Sequence, residues 1–398
     1  MWIFIEATDV WLFRDGRPFD AGADHRAASI FPPAPTTIQG AIRTKLLALY
    51  NTSFTDYAEG NNISSEITDQ IGTADNGQPG QMQFRGPFLA RRQADNSIMP
   101  YFPRPADILQ VNSDKVQRLV PLRPDNKAPF AANWPDEVPY LQPCLYDVSL
   151  VGDDKPEGGQ AWISAVGMRA YLAGKISTDN FSPPGQDRGG RNEWLAKAEA
   201  ELNTSGYLGH VHLKPTTYFF RNEYRLGIGI EEVHKRPSDG KLYTATFVRP
   251  HNDVGLLVEV TGLLESKWSK AGILSLGGER KSARYSLIDK PAHWPTHETE
   301  GNKLYLATPT HFDGGWQTNN WQNYFSNAGQ LTAACVSRPQ MIGGWDMAQN
   351  RPKPMQRYVP AGCVYFFDSS LQRVNDEPIC DDKDAGQIGF GTTFIGRY

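Results

Sequence analysis

The residues with the clearest chemistry run from Leu276 to Tyr285, in the order Leu-Gly-Gly-Glu-Arg-Lys-Ser-Ala-Arg-Tyr. Gly277 and Gly278 permit positive φ and let a second backbone come close, while Arg280, Lys281 and Arg284 supply cationic donors matched to phosphate oxygens. That combination can clamp a nucleic-acid backbone. It is also the composition of an ordinary glycine turn with a solvated basic tip, and the stretch alone does not choose between the two.

A second place suited to phosphate lies near the start of the chain. After Pro32-Pro33-Ala34-Pro35, Thr36 or Thr37 is expected to cap a helix whose apolar stripe is Ile38, Ala41, Ile42, Leu46, Leu47 and Leu49. Its first turn would present free amides and the positive dipole end beside Gln39 and Arg43. The alternative is a plain threonine cap with Arg43 on the surface. The loop before it carries His25 and Arg26, and Arg188-Gly189-Gly190-Arg191 forms another glycine-flanked basic tip, either an arm or a surface loop. From Pro215 to Ile230, Tyr218, Phe219, Phe220, Arg221, Tyr224 and Arg225 suit a sheet face against bases, or a hairpin buried by its aromatics.

No catalytic set stands beside these. There is no Gly-x-x-x-x-Gly-Lys-Ser/Thr phosphate loop, and the His210/His212 and His293/His297 pairs lack a helical zinc context, Pro295 falling inside the second. Gly152-Asp153-Asp154 reads as a turn. No metal and no cofactor is expected, and His25 is the one histidine that could act as an acid-base group in RNA cleavage.

The elements that must position these groups belong to a loop-rich mixed fold. The 398 residues, 39% hydrophobic with 37 glycines and 29 prolines, predict short strands punctuated by turns in two domains, not a helical bundle. A net charge of -4 argues against coating nucleic acid by bulk charge, so any such site must be local. Arg338, Arg351, Lys353 and Arg357 against Asp346 leave one stretch locally basic, although such runs also occur as solvated faces. Cys144, Cys335, Cys363 and Cys380 are too scattered for a zinc ribbon or a disulfide framework, which fits a reducing cytoplasm, and no membrane-spanning run is present.

Along the chain, strands are expected over residues 1–13, Gln83–Ala90 with Ile98–Pro103 as a hairpin, Val116–Leu122, Leu145–Val151, and Leu242–Val248 paired with the preceding strand across an Asp239-Gly240 turn. Val254–Val260 is a further strand, and Tyr305–Pro309, Leu331–Ser337 and Cys363–Phe367 complete a second sheet. Trp162–Lys175 predicts a second helix and Leu263–Gly272 a short one. Asn51–Gln81 reads as a polar excursion, and Gly386-Gln387-Ile388-Gly389-Phe390-Gly391 as a closing glycine run near the first.

Taken in order, Asp9-Val10-Trp11-Leu12-Phe13-Arg14-Asp15-Gly16-Arg17-Pro18-Phe19, the Phe31 to Arg43 segment, Tyr224 to Ile230 with Leu242-Tyr243, Leu276-Gly277-Gly278-Glu279-Arg280, and Pro360 to Phe367 resemble the third-subunit family of the type III-B CRISPR Cmr effector complexes, within the RAMP superfamily. The resemblance spans nearly the whole chain apart from insertions at about residues 51–81 and 291–325. It implies an α+β fold of two ferredoxin-like, RRM-related domains, 1–210 and 211–398, with long loop insertions and the glycine-rich loop in the second. It implies a subunit without catalysis that holds the 5′ repeat-derived tag of the crRNA and joins the large polymerase-like subunit to the adjacent backbone RAMP subunit, meeting target RNA only indirectly. Carried onto this chain, the tag-binding residues are Gly277, Gly278, Arg280, Lys281 and Arg284, the helix start at Thr36, Thr37, Gln39 and Arg43, and His25 with Arg26. Two rivals are a RAMP-superfamily, metal-independent RNA-processing endoribonuclease using His25, and a carbohydrate-binding module using Trp316, Trp321 and Trp345.

Overall fold

A computed structural model describes residues 1–15, 26–61, 63–74, 80–112, 117–125, 141–179, 200–201, 204–231, 236–298, 300–346 and 351–398. The chain opens with β1 (Trp2–Ala7), the short β2 (Arg26–Ala27), and helices α1 (Pro35–Leu49), α2 (Phe54–Glu59) and α3 (Ser65–Ile71). β3 (Gln83–Arg92) and β4 (Ile98–Pro103) form the expected hairpin, then β5 (Ile108–Asn112) pairs with β6 (Gln117–Pro121) and β7 (Arg123–Pro124) with β8 (Cys144–Leu145). β9 (Ala161–Ser164), α4 (Ala165–Leu172) and β10 (Leu213–Pro215) precede the long hairpin of β11 (Phe220–Ile230) and β12 (Pro237–Pro250). The remaining elements are β13 (Val254–Thr261), β14 (Ala271–Ser275), β15 (Ser282–Ile288), β16 (Lys303–Leu306), β17 (Leu331–Cys335), β18 (Gln340–Asp346), β19 (Arg351–Tyr358), β20 (Val364–Phe367), α5 (Lys383–Gln387) and β21 (Thr393–Gly396).

The fold is mixed α/β, with a large antiparallel sheet and few helices. Eight strands run in the order β10-β9-β4-β3-β13-β1-β15-β14, which places β1 near the centre between β13 and β15. The sheet takes β1, β3, β4 and β9 from before residue 210 and β10, β13, β14 and β15 from after it, so the expected division at 210/211 falls inside one sheet.

Alternation along β1 explains the layering. Ile3 and Ile5 point to one face, where Ile38, Ala41, Ile42, Leu46 and Leu47 of α1 cover them together with Leu256, Val258 and Tyr285. Trp2 and Phe4 point to the other, where they meet Phe88, Phe102 and Trp294, and beyond them Tyr305, Val364, Phe366 and Phe394 of a second sheet, ordered β17-β20-β16-β21. The outer face of that second sheet buries Leu304, Tyr365 and Phe367 against Phe312 and Phe325, with Trp316 and Trp321 packed on them. Each large apolar side chain so buried contributes about 1.5–3 kcal/mol.

Several expected elements shift for local reasons. Trp162 and Ile163 belong to β9, and the helix begins only after Ser164, whose side chain accepts from Gly167 N at 3.2 Å as a cap. Beyond Leu145 the chain turns into a 3-10 segment, Val148–Leu150, where Asp147 accepts from Ser149 N. Leu263–Gly272 holds only the 3-10 turn Glu265–Lys267 before β14 begins. Asp239 and Gly240 lie within β12, and the β11–β12 connection falls at Glu231 to Arg236, closed by Glu231 N donating to Arg236 O at 2.9 Å. The polar excursion after α1 forms two short helices, α2 closed by Gly60 in the left-handed conformation and α3 by Gly72, also at positive φ but extended in ψ.

Candidate nucleic-acid interface

The loop between β14 and β15 is built by backbone contacts that only glycine allows. Gly277 adopts φ +81°, and a Cβ there would lie 2.6 Å from Leu12 O and 3.0 Å from the Phe13 ring. Gly278 N donates to Leu12 O at 2.7 Å, and Leu276 N closes the loop on Lys281 O at 2.8 Å. Glu279 and Arg280 then take left-handed conformations, φ 55° and 49°, uncommon for residues with a side chain. The strained pair places Arg280 at an exposed tip.

Around the tip the charges are sorted. Lys281 Nζ lies 3.0 Å from Glu279 and 5.1 Å from the centre of the Phe247 ring, which also carries Arg225 at 4.7 Å. Arg225 and Arg249 grip Glu223 at 2.6 and 2.5 Å, and Arg249 reaches Asp9 at 2.7 Å. Hydrogen bonds first from Arg249 and then from Arg225 hold the Glu223 carboxyl down to about 2, and the Arg249 bond lowers that of Asp9. These two arginines are thus neutralised by the protein itself. Among the described residues, Arg280 and Arg284 are exposed and make no ion pair. Arg284 is exposed on β15, between Glu6 of β1 and Ile273 of β14 in the register, while Glu6 is taken by Arg92 at 3.0 Å.

The start of α1 differs from expectation in its cap. Pro35 occupies the first helical position with its φ already set, so the helix begins one residue before Thr36 and its N-cap is Ala34, which supplies no side-chain hydrogen bond. Thr36, Thr37 and Gln39 stand half-exposed in the first turn, and no side chain closes that end. Arg43 is not a free surface cation: its Nη2 donates to Tyr57 OH at 2.6 Å and to Ile71 O at 3.2 Å, tying α1 to α2 and α3. Tyr57 lies in the excursion to which the sequence assigned no role, so no sequence signal pointed to this pairing.

The loop and the helix start meet through Leu12 and Phe13. Leu12 O receives Gly278 N, and the Phe13 ring stacks on Phe31, 6.1 Å away, directly before the cis bond to Pro32. Phe13 N also donates to Ser29 Oγ, which in turn donates to Thr246 O of β12. The closing glycine run contacts the helix end of this arrangement: a Cβ on Gly389 would lie 2.5 Å from Gly86 O and 3.3 Å from Pro35 Cβ. Arg26 lies on β2, beside Thr244 of β12. His25 and the Arg188–Arg191 tip fall outside the described residues.

Other expectations resolve as follows. Among the described residues no group of three or more histidine, cysteine or acidic side chains could hold a metal. His212 Nδ1 accepts from Gly209 N, and His297 Nδ1 from Ile395 N, with burial pressing the His297 value down to about 4. Trp316 and Trp321 are packed against Tyr365, leaving Trp345 alone exposed among the three tryptophans of the carbohydrate reading. Tyr224 is not core: it stands exposed with Leu226, Ile228, Ile230 and Leu242 along the β11–β12 hairpin. No helix among the described residues is long and apolar enough to cross a membrane.

Comparison with known proteins adds a family. A family model described as "CRISPR-associated protein (Cas_Cmr3)" matches residues 3–398. No curated protein matches the chain. Among solved structures, a chain of the cryo-EM structure of the type III-B Cmr-beta bound to cognate target RNA and AMPPnP is similar at 14% identity and a TM-score of 0.48, covering 92% of this chain and 86% of that one. A chain of the same complex with cognate target RNA gives 13% identity, TM-score 0.47 and the same coverage. A chain of the crystal structure of the Csm3-Csm4 subcomplex in the type III-A CRISPR-Cas interference complex gives 10% identity and TM-score 0.36, over 100% of this chain and 99% of that one.

Proposed function

We propose, from the premise that the chain belongs to the CRISPR-associated Cas_Cmr3 family, that it is a non-catalytic subunit of a type III-B CRISPR effector complex and holds the 5′ tag of the crRNA. The observation that carries the site is the junction at Leu12 and Phe13. There the glycine loop, which donates to Leu12 O, and Phe31, four residues before the uncapped start of α1 at Pro35, both meet the Leu12–Phe13 segment although they are far apart in sequence. Arg280, Lys281 and Arg284 hold phosphates from the loop side, and the Thr36 N–H with the side chains of Thr36, Thr37 and Gln39 holds them from the helix side, Pro35 having no N–H and Thr37 N being taken by Ala34 O. Arg43 acts one step back, keeping α2 and α3 on α1. Arg26, on β2, extends the seat, and His25, outside the described residues, is proposed to act with it.

The mechanism is positional. Phosphates fixed at the two sides set the register of the tag, and the guide then extends toward neighbouring subunits that pair it with target RNA. The exposed apolar stripe of Tyr224, Leu226, Ile228, Ile230 and Leu242 supports the bridging role between the large polymerase-like subunit and the backbone subunit, since a continuous surface of that kind is usually covered by a partner.

The test is filter binding of tagged crRNA by Arg280→Glu/Lys281→Glu, with a same-length untagged RNA as reference. The expected result is at least a tenfold loss on tagged RNA with the wild-type melting temperature retained. Unchanged affinity for the tagged RNA removes the loop from the site. Metal-free cleavage of repeat RNA that disappears in His25→Ala would instead select the endoribonuclease reading.

A further inference from the structure

Among the described residues β18 and β19 pair only with each other, and their base is firmly set in the body of the protein. Ile342 and Tyr358 are buried in a cluster with Cys380, Ala385 and Phe390, and the Tyr358 ring stacks on Phe390 at 4.5 Å. Ala34, the N-cap of α1, packs against the same cluster. The hairpin therefore leaves the protein beside the helix start described above.

Beyond that base the strands are exposed. Trp345 is 54% exposed, and Met341 and Met355 are exposed with it. Arg338, Arg351, Lys353 and Arg357 are also exposed, and none pairs with a described carboxylate, in a chain whose net charge is -4. Among the described side chains no ion pair takes up these cations, Asp346 opposite Arg351 lying outside them, and a lone two-stranded ribbon has no core of its own to shelter an indole from water. At about 3.3 Å per residue, the part beyond Ile342 reaches roughly 10–15 Å from the anchored cluster, the span of two or three nucleotides.

We propose that this hairpin is a second RNA contact, in which Trp345 stacks a base and Arg351, Lys353 and Arg357 hold phosphates of the single strand leaving the helix start. The proposal rests on the reading of that helix start and the glycine loop as an RNA seat. The register sets Trp345 beside Pro352 on one ribbon face and Arg351 and Lys353 on the other. Single-stranded RNA fits better than an acidic protein because a strand bending around so thin a ribbon meets a stacking surface on one face and phosphate donors on the other, and because the hairpin base packs on Ala34 at the helix start.

The experiment measures binding of a labelled crRNA, tag plus guide, to the full-length protein over a series of salt concentrations. Three variants are compared: Arg351→Ser/Lys353→Ser, Trp345→Ala, and the loop variant Arg280→Glu/Lys281→Glu. Losing two phosphate contacts is expected to flatten the log–log salt dependence by about 1.4, with affinity down about tenfold. Losing the stacked base is expected to weaken binding about tenfold with the slope unchanged. Both hairpin variants should melt as wild type, because the altered side chains are exposed. If they bind RNA as wild type does, the hairpin is not an RNA contact, whether or not the loop variant fails. If they bind RNA normally but no longer co-purify with neighbouring subunits, the surface is a protein dock and the proposal is overturned. If they lose RNA while the loop variant does not, the seat falls and the hairpin stands.

Discussion

Where the two sheets join, Lys303 of β16 is fully buried, with its Nζ 3.7 Å from Asp107 and 3.6 Å above the Tyr171 ring. Tyr171 OH donates to the other Asp107 oxygen at 2.7 Å, and Arg123 stands 3.9 Å away. Burial outweighs the attraction of Asp107 and presses the Lys303 value from 10.5 down to about 8. The sign of the linkage follows. Below pH 8 both folded and unfolded chains carry the proton, and the burial penalty is present in full. Between pH 8 and about 10.5 the folded protein has released it while the unfolded chain still holds it, so stability rises with pH at about 1.4 kcal/mol per unit. From pH 7 to pH 10 the gain is about 2–3 kcal/mol. With an unfolding entropy of about 2.1 cal/mol/K per residue over this length, that is a rise of about 3 °C in Tm. Lys303→Met removes the group that titrates. Chemical denaturation and melting of both proteins at pH 7, 8, 9 and 10 should therefore show wild type gaining on the variant by about these amounts, whatever their stabilities at pH 7, because titrations of groups away from the Lys303, Asp107 and Tyr171 cluster cancel in the comparison. Parallel pH profiles would refute the assignment of a depressed lysine at the joint.

Two further substitutions test the seat. Gly277→Ala forces a Cβ onto Leu12 O at 2.6 Å in a backbone region that disfavours it, and should cost about 2–4 kcal/mol and weaken tagged-RNA binding; hydrogen exchange at Gly278 N–H, faster than wild type, reads the opening directly. Arg43→Ala leaves Tyr57 OH without its guanidinium and should lower stability by about 1–3 kcal/mol in urea, with the salt slope of RNA binding unchanged. A flatter slope would make Arg43 a phosphate ligand after all.

The features legible in the sequence were those decided locally. The β3–β4 hairpin, the α1 stripe and β16, β17 and β20 of the second sheet follow from apolar runs between turn residues, while its fourth strand, β21, was not anticipated behind the closing glycine run; the Gly-Gly pair announced a close backbone approach. The N-cap of α1 lies at Ala34, two residues before Thr36 and three before Thr37, because proline took the first helical position. Sheet neighbours were not legible, since the partners of β1 are set by burial on both faces and not by spacing along the chain. β18 and β19 were hidden as strands because Gly343, Gly344, Pro352 and Pro354 break the apolar alternation that marks a strand, although their basic charge was visible. The inward use of Arg43 needed a partner in a segment with no pattern of its own.

The central place of β1 has a consequence for how the protein is made. Its neighbours β13 and β15 pair Trp2 with Glu259 and Ile288, so the first strand leaves the ribosome long before either edge can be filled. At about 5–20 residues per second that interval is on the order of ten to fifty seconds. During it, Ile3, Phe4 and Ile5 have no sheet to join, and Leu12 has no Gly278 to receive. The junction of Leu12 with the glycine loop therefore cannot form on a nascent chain that has not passed residue 281, and it follows the synthesis of everything before it instead of accompanying it.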